Sequence, residues 1–134
     1  MNYVLIVDDD EDDRDLFCDA LNLVDPTITC FIARDGEEAL AGLRNHKFAK
    51  PDIIFLDLNM PRLNGIQCLA ALKKEQVLQD IPVIIFTTSK LKEDRDKTQR
   101  GGASDFITKP TTQKELCSII NRILLKHGMA LQKK

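Results

Sequence analysis

Residues 3–10 read YVLIVDDD: five consecutive apolar side chains, then three aspartates. A strand with one wet face alternates apolar and polar residues. An unbroken apolar run of this length instead suits a strand buried on both faces, as in a parallel sheet covered by helices. The same grammar returns at 28–33 (ITCFIA), 52–57 (DIIFLD), 82–89 (PVIIFTTS) and, shorter, at 105–110 (DFITKP). Between these runs the apolar period lengthens to helical spacing. Leu16, Phe17, Ala20, Leu21 and Val24 make one stripe ahead of Pro26, and Ala39, Leu40 and Leu43 follow the turn at Asp35 and Gly36. Ile66, Leu69, Ala70 and Leu72 follow Asn64 and Gly65, and Leu116, Ile119, Ile120, Ile123 and Leu124 line a last helix over about 112–126. Five strand–helix units of this kind predict an α/β fold: a doubly wound five-stranded parallel sheet with helices on both faces.

One segment breaks the pattern. Residues 90–100 have room for a helix, yet Leu91 is their one large apolar residue. Such a helix packs only through small positions such as Thr98 and Gly101, and is expected to be loosely held.

Composition bounds the function. A chain of 134 residues, 43% hydrophobic and 30% charged, suits one soluble domain with one core. The expected layout is a domain over 1–127 and a short polar tail over 128–134, with no room for an attached output domain. Nineteen basic against 21 acidic residues give a net charge of −2, which argues against a nucleic-acid partner. No apolar run approaches the roughly 18 residues of a membrane span, and the start lacks the basic region of a signal peptide. A cytoplasmic protein with no membrane partner is expected. The four cysteines (Cys18, Cys30, Cys68, Cys117) contain no CxxC pair and read as small buried hydrophobes rather than a metal or disulfide site.

In α/β sheets of this kind, ligands sit beyond the carboxyl ends of the strands. There the first run ends in Asp8, Asp9 and Asp10, the third in Asp57, the fourth in Thr87, Thr88 and Ser89, and the fifth in Lys109 and Pro110. If the first and third strands are neighbours, Asp8, Asp9 and Asp57 converge. At 4 Å and an effective dielectric of about 20, each like-charge pair costs about 4 kcal/mol. The relief is a raised pKa or a bound cation. An all-oxygen site with few protein ligands suits Mg²⁺, which keeps several waters and accepts a phosphate oxygen. Strand-end aspartates also cap helices, the role expected of Asp10 or Asp12. Capping does not account for acids at the ends of two strands with a lysine at a third. A carboxylate nucleophile, a divalent cation, Lys109 and the Thr87 hydroxyl are the parts needed to move a phosphoryl group onto an aspartate. His46 and His127, expected in exposed helical regions, have no part in this chemistry.

The segments VDDDEDD (7–13), FLDLNMPRLNG (55–65), VIIFTTS (83–89) and ITKP (107–110), in that order and spacing, resemble the receiver domains of bacterial two-component response regulators. The likeness runs from about Tyr3 to Lys126, and the length and layout are similar to the single-domain chemotaxis regulators. The resemblance implies a flavodoxin-like strand order of 2-1-3-4-5. It implies Asp57 as phosphoacceptor, with Mg²⁺ held by Asp57, by Asp9 directly, by Asp8 largely through water, and by the backbone carbonyl of Asn59. It makes Lys109 the contact to a phosphoryl oxygen, Thr87 the hydroxyl that swings toward that group, and Phe106 the aromatic that then rotates inward. It implies a cis peptide between Lys109 and Pro110.

The phosphoryl donor implied is a sensor histidine kinase or a histidine phosphotransfer protein. The reader is a downstream protein effector at the face made by the fourth helix, fifth strand and fifth helix. Many relatives dimerise through that face when phosphorylated. Such a protein is a phosphoacceptor in signalling, not an enzyme beyond its own phosphorylation and dephosphorylation. Four positions depart from or tune the pattern: Phe106 stands where many relatives carry Tyr, Thr88 where many carry Ala or Gly, and Asn59 and Ser89 at the variable positions that tune dephosphorylation.

Other readings stay open beside this one. The chain could be a phosphorelay intermediate that passes phosphate onward, or a pseudo-receiver that binds without being phosphorylated. A haloacid-dehalogenase-like phosphatase would need a second Asp where Asn59 stands, and usually a cap domain. A flavodoxin-like cofactor protein would not place acids where a flavin phosphate sits.

Overall fold

The structure, a computed structural model, describes residues 2–128. The five apolar runs form five parallel strands: β1 (Tyr3–Val7), β2 (Thr29–Ala33), β3 (Ile53–Leu56), β4 (Val83–Thr87) and β5 (Asp105–Thr108). They lie in the order β2-β1-β3-β4-β5, as the sequence pattern implies. The helices between them are α1 (Glu11–Val24), α2 (Gly36–Arg44), α3 (Gly65–Lys74), α4 (Lys92–Arg100) and α5 (Gln113–Lys126).

Side chains alternate across a strand, so each inner strand feeds both faces of the sheet. Val4, Ile6, Ile53, Phe55, Ile84, Phe86 and Ile107 pack under α1 and α5, against Phe17, Leu21, Ile120 and Ile123. Leu5, Val7, Ile54, Leu56, Val83 and Ile85 pack on the other face, under α2 and α3, against Leu40, Leu43, Leu69 and Leu72. Phe17 sits between Phe55 and Phe86, with ring centroids 4.7 and 5.6 Å away in tilted and edge-on arrangements that rings favour.

Asp10 is the cap of α1, its carboxylate accepting from the Asp13 N–H, while Asp12 does not cap. Asp35 caps α2, Thr112 caps α5, and Asn64 with Gln67 forms a reciprocal capping box on α3.

Two helical stripes differ from expectation. Leu16 is 53% exposed, because the buried line of α1 runs through Arg14, Phe17, Ala20 and Leu21, and Leu16 falls about 100° to one side of Phe17. Ala70 is exposed and Cys68 takes its place in the core, since α3 buries Gly65, Cys68, Leu69 and Leu72. Ile119 is half-buried. In α4, Thr98 is the buried residue, its hydroxyl donating back to the Asp94 carbonyl at 2.9 Å, and Gly101 sits where a Cβ would lie 3.1 Å from Leu69. The helix begins with no side-chain cap, and its ion pairs, Lys92 to Asp96 and Lys97 to Glu93, lie in solvent.

His46 is exposed in a turn after α2 rather than in a helix, and His127 is half-buried at the end of α5, where burial lowers its pKa. No helix among the described residues is long and apolar enough to cross a membrane. Residues 129–134 of the expected tail lie outside the described residues.

Candidate functional site

In register, β1 Val7 stands beside β3 Leu56 and β2 Ala33, so the residues that follow them emerge at one edge of the sheet. The ladder continues past the strand ends: the Asp57 N–H donates to the Val7 carbonyl at 3.0 Å, and the Asp8 N–H to the Ala33 carbonyl at 3.1 Å. These bonds fix two acids side by side. Asp8 is 1% exposed and Asp57 is 5% exposed, with Asp9 at the open mouth. Oxygen atoms of Asp8, Asp9 and Asp57 lie within 4.8 Å of one another. That all-carboxylate set is the donor chemistry of a hard divalent cation, and the residues present fit Mg²⁺.

Asp8 and Asp57 are held from behind. The Asp8 Oδ1 accepts from the Asp10 N–H at 3.0 Å, and the Asp8 carbonyl accepts from Arg14 Nη1 at 2.8 Å. Asp57 Oδ1 accepts from the Leu58 N–H at 2.8 Å and, more loosely, from the Asn59 N–H at 3.4 Å, which leaves Oδ2 facing the pocket. The first residue of α3 is packed against this turn. A Cβ on Gly65 would run into the Asp57 carbonyl oxygen and stand 2.6 Å from Leu58 Cα.

Lys109 closes the opposite wall. Its Nζ donates to Asp8 Oδ2 at 2.7 Å and to Asp13 Oδ2 at 2.8 Å, and lies 3.5 Å from Asp57 Oδ2. Burial alone would lower the pKa of this ammonium. The bonds to Asp13 and Asp8, with the charge of Asp57, outweigh burial and hold it above the ordinary lysine value. Burial pushes the Asp8 carboxyl above its usual range, and the bond from Lys109 only partly opposes that.

The expected cis peptide is corrected: no cis bond occurs among the described residues, and the Lys109–Pro110 peptide is trans. The trans form of such a bond is intrinsically favoured by about 0.5–1 kcal/mol. In it, Lys109 reaches Asp8 while its N–H donates to the Thr87 carbonyl at 2.7 Å.

Thr87 is fully buried beside the pocket, with only a 3.4 Å bond from the Ser89 N–H to its hydroxyl. Ser89 links the end of β4 to α4: its hydroxyl donates to Asp94 Oδ2 at 2.6 Å. Thr88 and Asn59 are exposed near the pocket mouth. Phe106 is 8% exposed and packs in the core on the α2 and α3 side of the sheet, with the Arg95 guanidinium 4.8 Å from its ring centroid. Cation–π contact and burial against the core hold it there.

Two residues of the site were missed in the sequence, Asp13 and Arg14. Asp13 lies in the first turn of α1, which starts directly after the strand-end acids, and that closeness was the available signal. Away from the site, Cys18 and Cys30 face each other with Sγ atoms 2.7 Å apart, and the bond between them lowers the Cys18 pKa and raises that of Cys30. Cys68 is the one fully buried thiol of the four, pushed by burial up to about 12.

Residues 4–121 match the family of the response regulator receiver domain. The chain belongs to that family. As a curated relative, this receiver resembles the protein PilH of Pseudomonas aeruginosa, 38% identical over 92 residues that cover 69% of this chain and 74% of PilH. Among solved structures it resembles the phosphorylated cyanobacterial phytochrome response regulator RcpA (TM-score 0.84, 31% identity, 92% of this chain and 91% of that one). It also resembles the Mn²⁺-bound form of response regulator Rcp1 (TM-score 0.82, 29% identity, 92% of each chain). Other curated relatives are longer. The receiver spans 46% of the probable transcriptional regulator ycf29 of Pyropia yezoensis, to which it is 38% identical over 104 residues, 78% of its own length. It is the receiver domain of a two-component response regulator.

Proposed function

We propose that Asp57 accepts a phosphoryl group from a phosphohistidine of a sensor histidine kinase or a histidine phosphotransfer protein, in a Mg²⁺-dependent reaction. The observation that carries this reading is the setting of Asp57: a buried carboxylate, among two other carboxylates, 3.5 Å from a lysine ammonium. With Oδ1 held by backbone N–H groups, Oδ2 is the nucleophile. It forms the new bond to phosphorus as the bond from phosphorus to the donor imidazole breaks and that imidazole takes up a proton. Asp8, Asp9, Asp57 and the Asn59 carbonyl would hold the cation, which supplies charge neutralisation for the incoming phosphoryl oxygens. Lys109 stabilises the charge spread over those oxygens.

The phosphoryl group adds about 1.5–2 negative charges, by analogy with other phosphorylated side chains. Thr87, bound only through a long contact, is free to turn its hydroxyl toward that charge. Ser89 then transmits the movement to α4 through Asp94. With Thr98 as its buried residue, α4 is the element with least to hold it. A downstream protein effector reads the face of α4, β5 and α5, where a phosphorylation-dependent homodimer would also form. The chain acts in the cytoplasm as a signalling protein, and Asn59, Thr88 and Ser89 at the pocket mouth tune the lifetime of the acyl phosphate.

The test is incubation with ³²P-labelled acetyl phosphate and Mg²⁺. The expected result is label on the wild-type chain that is absent from Asp57→Asn. Undiminished label on the variant removes Asp57 from the role, and an unlabelled wild-type chain makes the protein a non-phosphorylated binding module.

A further inference from the structure

We propose that Asp13 is a competing counter-ion that draws Lys109 away from Asp57 and so weakens the site for a phosphoryl group. The inference rests on the phosphoacceptor reading above and adds a residue to it.

Lys109 carries three N–H donors. Two are committed, to Asp8 Oδ2 at 2.7 Å and to Asp13 Oδ2 at 2.8 Å. The distance to Asp57 Oδ2, 3.5 Å, is an ion-pair distance beyond a hydrogen bond. The ammonium therefore sits on the α1 side of the pocket, where its charge is shared among three carboxylates. Its third N–H remains for a phosphoryl oxygen on Asp57, and bringing the ammonium closer to that oxygen stretches its two existing bonds.

The two partners do not let go equally. Asp8 is 1% exposed, and a buried carboxylate deprived of its cation is strongly penalised. The Asp13 side chain is 35% exposed on the first turn of α1, where water replaces the lost bond. Asp13 is thus the partner that yields, and its attraction for Lys109 is a standing opposition to the phosphorylated state. Asp12, in the same turn, carries the same charge but is exposed and makes no bond to Lys109 among the described residues. It is the internal control.

The measurement is the affinity for beryllofluoride, a phosphoryl mimic, taken by calorimetry with Mg²⁺ for the wild type, Asp13→Asn and Asp12→Asn. Melting temperatures of the three without ligand report on folding. Asp13→Asn is expected to bind about fivefold more tightly, the upper end for a partly exposed ion pair, and to label faster with acetyl phosphate by a similar factor. Asp12→Asn is expected to match the wild type. Unchanged or weaker binding by Asp13→Asn overturns the proposal, as does equal tightening by Asp12→Asn, which would reduce the effect to net charge. A wild-type chain that takes no beryllofluoride removes the phosphoacceptor reading and this one with it. A wild type that binds while Asp13→Asn gains nothing removes this one alone.

Discussion

Gly65 leaves no room for a methyl group. The atoms that a Cβ would strike are the Asp57 carbonyl oxygen and Leu58 Cα, both backbone, and neither can swing aside as a side-chain tip would. Gly65→Ala must instead push the start of α3 away from the turn that presents Asp57. The expected cost is about 1–3 kcal/mol, the usual range for overpacking, read as a lower urea midpoint at unchanged slope. Labelling by acetyl phosphate should fall about tenfold or more, because small displacements of a reacting group are costly. A variant that lost stability but labelled normally would show that α3 does not position Asp57.

At the same scale, Asp8, Asp9, Asp57, Thr87 and Lys109 were legible from sequence because parallel strands deliver their carboxyl ends to one edge. Asp13 was not, since an acid in the first turn of a helix already has a sufficient reason in the helix dipole. Nor was the contact of Phe106 with Arg95, which comes from another element.

Among the elements, α2 shows how a cap carries a pH dependence. Its start is held by Asp35, whose carboxylate accepts the Glu38 N–H at 2.8 Å and pairs with Arg62. That backbone bond, with Arg62 in support, holds the Asp35 carboxyl below the usual carboxylate range. A depressed folded-state pKa means stabilisation that is present above the unfolded value and is lost as pH falls through the folded one. Asp35→Ala should therefore cost about 1 kcal/mol at pH 7. The gap from wild type should narrow as the pH is taken below the usual carboxylate range, and Asp35→Asn, an equally good cap that also lacks the titrating group, should gain on the wild type by the same amount over that range. Urea midpoints at both ends of that range check it, and a gap that did not change with pH would assign the cost to something other than the charged cap.

Elements with strong apolar stripes, α2 and α5, were readable almost to the residue. The stripe of α1 was read too wide at Leu16 and that of α3 one residue off at Ala70, because a leucine or alanine beside the buried line looks the same in sequence as one on it.

For the whole molecule, the two apolar clusters on the sheet faces leave one edge where charge is concentrated. Asp8, Asp13 and Asp57 surround the ammonium of Lys109, and Asp9 stands beside Asp8 and Asp57. The fold thus holds together four carboxylates with the Lys109 ammonium among them and the Arg14 guanidinium behind Asp8, and a cation that binds this arrangement but not the unfolded chain must stabilise it. At Mg²⁺ ten times its Kd the linkage is about 1.4 kcal/mol, which for a domain of this size raises Tm by about 5 °C. Asp57→Asn removes one of the repelling charges and one of the ligands together. Without Mg²⁺ its Tm should lie above that of the wild type, and on adding Mg²⁺ the increment should shrink, so the two melting curves converge or cross. Scanning calorimetry of both chains, with EDTA and with Mg²⁺, reads all four temperatures. If Asp57→Asn melts lower than wild type in EDTA, the attraction of Lys109 outweighs the repulsion and the carboxylate cluster is not a source of strain. If Mg²⁺ raises both chains equally, the ion binds elsewhere and the acidic edge is not its site.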